Sequence, residues 1–378
     1  MTPDPGFGVY VHIPFCARRC HYCDFNTYEG QEQLIPAYVD ALVGEITRWP
    51  SRDRAATSVF FGGGTPTLLT AAQLARILDA ISEAIGIEPE AEVTIEANPD
   101  TVDEPYLREV RGAGFDRISI GVQSTVDRVL LGLGRTHSGP TALDALQAAR
   151  RAGFDNINAD LIYGSPWETE DDWIVSLNDV IEAEPDHVSA YALTVEEGTP
   201  LAVRVATGRV PDVDPDIQAA RHRVADEMLG EAGFDRYEVS NWSRPGRACR
   251  HNLLYWRAGN YAAFGAGAHG HKDGTRWWTV RLPRTYIDRV RSHASTREGE
   301  ERLTPDQQAG EALMLGLRLK NGVKSSDFLA RFGATAWDRR SGILQELHDR
   351  GLIVLDDGTV RISPDATMLS NEVLCRVL

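Results

Sequence analysis

The chain has 378 residues, enough for one large α/β domain with a smaller appendage, or for two ordinary domains. Hydrophobic residues make up 42% and charged residues 25% of it, and no apolar run approaches the ~20 residues that a bilayer-spanning helix needs. The formal charge of −16 opposes non-specific binding to nucleic acid or an anionic membrane, since phosphate contacts need clustered Lys and Arg. We therefore expect small-molecule or protein partners, no nucleic acid and no membrane span.

The first half of the chain alternates short, β-rich apolar runs with stretches that can form helices. The runs cover residues 8–13, 57–61, 92–97, 117–122, 156–163 and 187–193, and each is predicted to be a strand. Thr70 with Gln73, and Thr169 with Asp172, have the spacing of capping boxes that begin two of the helices. Six such units predict an α/β fold with a parallel sheet, wound as an open sheet or as a barrel, whose ligands gather at the C-terminal ends of the strands.

Beyond about residue 200 this alternation ends. The polar segment 291–305 predicts a linker, and residues 304–378 are predicted to form helices followed by two short strands. That order is typical of a small winged-helix-like α+β module. We divide the chain into a core at 1–235, an extension with a linker at 236–303 and a C-terminal domain at 304–378.

The chain has five cysteines, and Cys16, Cys20 and Cys23 lie within eight residues near its start. The N-terminal sequence MTPDPGFGVYVHIPFC lacks the basic, apolar and small-residue segments of a signal peptide, which predicts a cytoplasmic protein. In a reducing compartment, clustered cysteines indicate metal or redox chemistry rather than a disulfide framework.

The spacing C-x3-C-x2-C suits a [4Fe–4S] cluster. Three thiolates can ligate three irons of the cubane, which leaves the fourth iron free to bind a ligand. The alternative is a tetrahedral zinc ion, which would need a fourth ligand such as Cys249, His21 or His251. Zinc sites more often have paired CxxC motifs, so we favour the cluster.

Further polar groups are predicted at the strand ends or in the loops that follow them. Gly62-Gly63-Gly64 ends the second strand, where the missing side chains would let a ligand approach the backbone. Later strand–helix units add four more polar groups: the carboxylates of Glu96 and Asp160, the amide of Gln123 and the guanidinium of Arg135. Each alone could be an ordinary surface group, but together they predict one site at the mouth of the sheet.

The cysteine motif, with aromatic Tyr22 just before its third cysteine, resembles the signature of the radical S-adenosylmethionine (SAM) superfamily. The resemblance implies a partial (β/α)6, TIM-like barrel in which SAM chelates the open iron through its amino and carboxylate groups. It also implies that an electron from the cluster cleaves the sulfonium to give a 5′-deoxyadenosyl radical.

Over nearly its whole length the chain resembles the oxygen-independent coproporphyrinogen III oxidase family. The matching blocks are YVHIPFC (10–16), GGGTPT (62–67), EANP (96–99), SIGVQS (119–124), LGRTH (133–137), NADLIYGSP (158–166), YEVSNW (237–242) and GAGAHG (265–270). The resemblance implies that the SAM pocket is lined by Tyr10, Gly63, Glu96, Gln123, Arg135 and Asp160. It places Gly64, Thr65 and Tyr22 beside that pocket.

Within this family the chain departs from the true oxidases, HemN. Those have a further cysteine two positions after the triad, where this chain has Asp24-Phe25. They also have an N-terminal extension before the first barrel strand, where seven residues precede Gly8 in this sequence. Both features match the HemW branch, whose members are regarded as haem chaperones and share an HNxxYW motif, here residues 251–256. The resemblance implies haem binding, with the His251 imidazole as axial ligand and Tyr255 and Trp256 against a porphyrin face. The alternative for His251 is a hydrogen-bonded core histidine.

Two functions follow from the resemblance. The favoured one is a haem chaperone that binds haem and transfers it to acceptor proteins, with membrane-bound respiratory enzymes as candidate acceptors. The alternative is an oxygen-independent coproporphyrinogen III oxidase of porphyrin biosynthesis, which decarboxylates propionate side chains by radical chemistry. A third alternative is a scaffold that binds SAM without cleaving it. Whether the protein is a monomer or a homodimer also stays open at this point.

Overall fold

The structure of the protein is a computed structural model that describes residues 5–50 and 54–378. Residues 1–4, where the segment assessed for a signal peptide begins, and residues 51–53 lie outside this description. In the described part of the chain, no helix combines the length and the apolar character that crossing a bilayer requires.

The first part of the molecule contains the strand–helix units. In chain order it consists of β1 (Phe7–Ile13), β2 (Phe15–Cys16), β3 (Tyr28–Glu29), α1 (Ile35–Ile46), β4 (Ala56–Gly63), α2 (Ala71–Ala84), β5 (Ile87–Ala97), α3 (Glu104–Gly112), β6 (Arg117–Gln123), α4 (Asp127–Leu133), α5 (Gly139–Arg151), β7 (Asn156–Tyr163), α6 (Glu170–Glu182) and β8 (His187–Ala192). The six long strands are parallel and adjacent in the order β1-β4-β5-β6-β7-β8. The predicted α/β class and parallel sheet are confirmed.

Both predicted capping boxes are present. The Thr70 hydroxyl accepts from the amide of Gln73 while the Gln73 side chain accepts from the amide of Thr70, and Thr169 with Asp172 repeats this at α6. The apolar faces of these helices are buried in the core around the sheet, with Leu74, Ile77, Ile81, Trp173 and Leu177 fully covered. The caps satisfy amides that a helix start leaves unpaired.

The middle of the chain extends this sheet at both edges. It consists of α7 (Pro200–Ala206), α8 (Pro215–Glu231), β9 (Asp235–Glu238), β10 (Asn241–Ser243), α9 (Arg250–Trp256), β11 (Asn260–Phe264), β12 (His269–Lys272), β13 (Thr275–Thr279), α10 (Pro283–Arg291) and β14 (Arg297–Arg302). Strands β10 and β9 follow β8, while β11 to β14 continue outward from β1. Among the described residues, twelve strands thus form one sheet.

Segment 291–305 differs from the expected linker. Its residues Arg297–Arg302 form β14, which pairs antiparallel with β13 as an edge strand. All five charged side chains of this strand are exposed, which an edge strand tolerates, so polarity alone did not indicate a loop.

The C-terminal part has its own hydrophobic core, built on Leu313, Phe328, Leu347, Val360 and Val373. It consists of α11 (Pro305–Leu317), β15 (Val323–Lys324), α12 (Ser325–Phe332), α13 (Ala334–Asp349), β16 (Ile353–Asp356), β17 (Thr359–Ile362) and α14 (Ser370–Arg376). Strand β17 lies between β15 and β16, so a third short strand joins the two expected. The domain boundaries proposed from the sequence stay a prediction.

Candidate functional site

A cavity of about 960 Å³ lies inside the curved sheet. Residues from strands far apart in the sheet order line it together: Tyr10 on β1, Glu96 on β5, Asp160 on β7, Asn241 on β10 and Tyr261 on β11. Strands so distant can share one cavity because the sheet curves into a partial barrel. The volume is at the upper end of the usual range for ligand pockets, ≈ 300–1,000 Å³.

The three clustered cysteines follow β1, at the C-terminal ends of the parallel strands. Cys16 is buried, whereas Cys20 and Cys23 are partly exposed. Each sulfur has a polar neighbour: the Thr65 hydroxyl donates to Cys16 Sγ at 3.8 Å, Arg135 Nη1 donates to Cys20 Sγ at 3.3 Å, and Thr27 Oγ1 lies 3.9 Å from Cys23 Sγ. Donors of this kind stabilise cluster thiolates.

The surroundings of these thiols fit a cubane better than a zinc ion. Among the described residues, no three His, Cys, Asp or Glu side chains converge on one metal ion, whereas a cubane binds each thiolate at a different iron. His251, one candidate for a fourth zinc ligand, bonds to Ser58. Ser58 lies five residues before Gly63, the end of β4, or about 16 Å along the strand.

The Cys16 thiol holds its proton more tightly than a free cysteine does. Burial, and then the neighbouring Cys23 and Cys20, raise the pKa of Cys16 to about 11, against the opposing hydrogen bond from Thr65. Metal ions deprotonate coordinating thiols outright. Binding of Cys16 to a cluster therefore has to displace the proton of this thiol.

The glycine run at the end of β4 fixes the start of the cysteine loop. The Gly64 amide donates to the Ile13 carbonyl and the Thr65 amide to the Phe15 carbonyl, both at 2.8 Å. A Cβ atom on Gly64 would lie 2.6 Å from the Phe15 oxygen, closer than real contacts allow. Gly63 has a φ of +111°, a conformation that glycine adopts easily.

Two carboxylates, Glu96 and Asp160, line the cavity close enough for their charges to interact. Glu96 accepts a 3.0 Å hydrogen bond from the Gly63 amide, and Asp160 accepts bonds of 2.8 Å from Ser119 Oγ and from Asn158 Nδ2. Enclosure by protein, and then the charge of Asp160, raise the pKa of Glu96 to about 7. Enclosure likewise raises the pKa of Asp160. Such a pair suits ribose hydroxyls or a cationic amine.

We expect Glu96→Gln to stabilise the protein at about pH 8, in the absence of added ligand. Because the pKa of Glu96 is raised on folding, the folded chain holds its proton more tightly than the unfolded chain. Wild-type stability is therefore lost as pH rises between about 4.5 and 7, and glutamine removes that loss. Urea midpoints at about pH 5 and pH 8 should show a gain that is larger at the higher pH. The exposed Glu231→Gln should show no such difference, and a pH-independent gain for Glu96→Gln would contradict the assignment.

The other residues expected at the SAM pocket lie around the cysteines rather than on the cavity wall. Arg135 joins Cys20 to the Gly121 carbonyl, which it contacts at 2.9 Å. Gln123 ends β6 with a φ of +66°, and Tyr22 packs against the small apolar cluster that contains Leu133. The described cavity therefore unites Tyr10, Gly63, Glu96 and Asp160, but not Tyr22, Gly64, Thr65, Gln123 or Arg135.

His251 lines the other end of the cavity, and both of its ring nitrogens are engaged. Nδ1 bonds to Ser58 Oγ and Nε2 to Tyr255 Oη, each at 2.9 Å. The ring stacks on Phe60, and burial lowers its pKa to about 3, with a further contribution from Arg117. In this arrangement His251 is a hydrogen-bonded core histidine, and ligation of haem iron would require one of these bonds to break.

Of the two aromatic residues expected to contact a porphyrin face, one lies at the cavity and the other does not. Tyr255 lines the cavity. Trp256 does not, because it faces the C-terminal part of the molecule, where the Arg318 guanidinium lies 4.5 Å from its ring.

Sequence reasoning missed several cavity residues, among them His12, Arg117, His187, His269 and Trp278. Arg117 is the first residue of β6, and its buried Nε has no hydrogen-bond partner among the residues that the structure describes. A cation inside an apolar strand was a signal that could have identified it. His269 lies within the GAGAHG block, but that block was used only to identify the family.

Comparison with known proteins identifies the family. Residues 10–180 match the model of the radical SAM superfamily, and residues 303–369 match that of the HemN C-terminal domain. The protein named "Heme chaperone HemW" from Mycobacterium tuberculosis (strain CDC 1551 / Oshkosh) is 43% identical over 353 residues, covering 92% of this chain and 90% of that protein. The Bacillus subtilis protein of the same name is 33% identical and covers 97% of both chains.

A solved structure agrees in fold. Coproporphyrinogen III oxidase (HemN) from Escherichia coli superposes with a TM-score of 0.87 at 23% identity, covering 99% of this chain and 90% of that one. This likeness extends over the partial barrel and the C-terminal part. The sequence relatives, at 43% and 33% identity over 92% and 97% of this chain, show that it belongs to the HemW family of the radical SAM superfamily.

Proposed function

We propose that this protein is a haem chaperone: it binds haem in the central cavity and transfers it to acceptor proteins. The observation that carries the proposal is the cavity itself, which joins the carboxylates near the cysteine loop to the HNxxYW helix α9. The names of the relatives with 33–43% identity support the same function. The proposed acceptors are proteins such as membrane-bound respiratory enzymes. The proposal also includes a homodimeric assembly and a cytoplasmic location.

Membership of the radical SAM superfamily implies a [4Fe–4S] cluster and SAM. We assign the cluster to Cys16, Cys20 and Cys23. We assign SAM to Tyr10, Gly63, Glu96, Gln123, Arg135 and Asp160, with Tyr22, Gly64 and Thr65 alongside. When bound, the two cofactors supply one-electron chemistry. The chain's own residues orient them: Arg135 holds Cys20, and Gly63 holds Glu96.

The oxidase alternative is less well supported. Asp24 and Phe25 stand where the oxidase branch has a further cysteine, and both line the cavity. The likeness to the E. coli oxidase, at 23% identity, shows the fold alone.

The proposal is tested by haem binding and transfer with the cluster-reconstituted protein. We expect one haem per chain in an absorbance titration, and transfer of that haem to a haem-free acceptor upon mixing. With coproporphyrinogen III, SAM and a reductant, we expect no release of CO2. Failure to bind haem would overturn the chaperone proposal. Catalytic decarboxylation would establish the oxidase alternative.

A further inference from the structure

The hairpin of β12 and β13 forms one wall at the mouth of the cavity. His269 on β12 lies directly opposite Trp278 on β13, and their rings stack with an interplanar angle of 25° and centroids 6.2 Å apart. Because side chains alternate along a strand, the neighbouring Trp277 points the other way, against Trp49. His269 and Trp278 both line the cavity.

A glycine makes this arrangement possible. Gly299 on the edge strand β14 lies opposite Trp278, and a Cβ atom there would overlap the indole ring. The missing side chain therefore lets the Trp278 ring lie across β14. The hairpin presents a flat aromatic surface with an imidazole beside it.

Neither ring nitrogen of His269 forms a hydrogen bond with a residue that the structure describes. Four histidines line the cavity: His12, His187, His251 and His269. In the described structure the first three use both ring nitrogens in hydrogen bonds. His269 is exposed, and among the described residues its ring stacks on Trp278 without a hydrogen bond to either nitrogen. Partial burial and the nearby Arg281 lower its pKa, which favours the neutral ring that metals bind.

The groups around His269 suit an amphipathic flat ligand. Phe25 on the cysteine loop lines the same mouth and is 64% exposed, an unusual position for a large apolar side chain. The Arg281 guanidinium also lines the mouth; its Nε donates to Asn26 Oδ1 at 3.4 Å. Two carboxylates, Asp24 and Glu298, share this rim, so its charge is mixed rather than uniformly positive.

Haem matches this combination of groups. It has a flat apolar ring, an iron with axial positions open to a neutral imidazole, and propionates that pair with arginine. We propose that His269, rather than His251, is the axial ligand of haem at the mouth of the cavity, with Trp278 against the ring and Arg281 at a propionate. The inference rests on the proposed haem-chaperone function and names the site at which the chain holds its cargo.

Substitution of His269 tests the assignment with haem itself as the probe. We expect His269→Ala to weaken haem binding by about tenfold or more in an absorbance titration, and His269→Cys to bind haem with a Soret band and an electron paramagnetic resonance spectrum typical of thiolate. A structural role alone would not change the ligand atom. The matched control is His271→Ala, two residues along β12, whose Nδ1 bonds to the Gly259 carbonyl.

The outcomes separate the two proposals. Wild-type affinity and spectrum in His269→Ala, with both lost in His251→Ala, would overturn the assignment of His269 and leave the chaperone function standing. Loss of haem from His269→Ala while His271→Ala and the urea midpoint stay at wild-type values would support it. A wild-type protein that binds no haem would overturn both proposals.

Discussion

Replacing Cys16, Cys20 or Cys23 singly by serine is expected to remove the iron–sulfur cluster. After anaerobic reconstitution, iron and sulfide should fall from about four of each per chain to near zero. The reason is that each thiolate binds a separate iron, and serine is a poor ligand for that iron. Iron and sulfide analysis and electron paramagnetic resonance of the reduced protein measure the loss. In the wild type, added SAM should change that spectrum.

The remaining cysteines provide matched controls. Cys249 is buried and donates to Glu92 at 3.4 Å, and Cys375 is exposed on α14. Cys375→Ser and Cys249→Ser should keep a full cluster, although the second is expected to lower stability. Stoichiometric zinc without sulfide in the wild type would refute the cluster assignment.

We expect Gly64→Ala to impair the same site without changing any ligand. A methyl group there would lie 2.6 Å from the Phe15 carbonyl oxygen and 2.8 Å from that of Ile13, and both are backbone atoms that cannot turn away. The β1 end must therefore shift and carry Cys16 with it. Overpacking of this kind costs about 1–3 kcal/mol of stability. Cluster content and SAM affinity should fall with the urea midpoint.

Gly230→Ala is the matched control for that substitution. Gly230 lies in α8 and its added methyl would meet no atom within 4 Å, so alanine should leave cluster content unchanged and keep or slightly raise stability. A Gly64→Ala protein that keeps a full iron–sulfur cluster and binds SAM would show that the glycine run at the end of β4 does not position Cys16.

The parts of the fold predicted best are those that neighbouring residues determine. The capping boxes at Thr70 and Thr169 and the apolar runs of the six parallel strands are local signals, and the structure confirms them. The antiparallel strands β12 to β14 were missed because they are only four to six residues long, and β12 and β14 are polar. No periodicity in Arg297–Arg302 separates an edge strand from a loop.

The candidate site shows the same division. The cysteine loop is a local motif, and its family resemblance located the carboxylates. The state of His251 could not be predicted, since its partner Ser58 is 193 residues away in sequence. The role of His269 was equally hidden, because only the fold shows that its ring forms no hydrogen bond with a described residue. The sequence motifs contain both histidines, but only the hydrogen bonds in the folded protein show which ring nitrogens are already engaged.

Strand β14 has a consequence for self-association. A sheet that stops short of closing leaves backbone amides and carbonyls along its last strand, where a second molecule could add its own strand. Here that strand has the sequence REGEER, with both of its arginines and all three glutamates exposed. Any added strand would have to bring these charges into close contact with its own side chains, so fibril growth from this border is disfavoured.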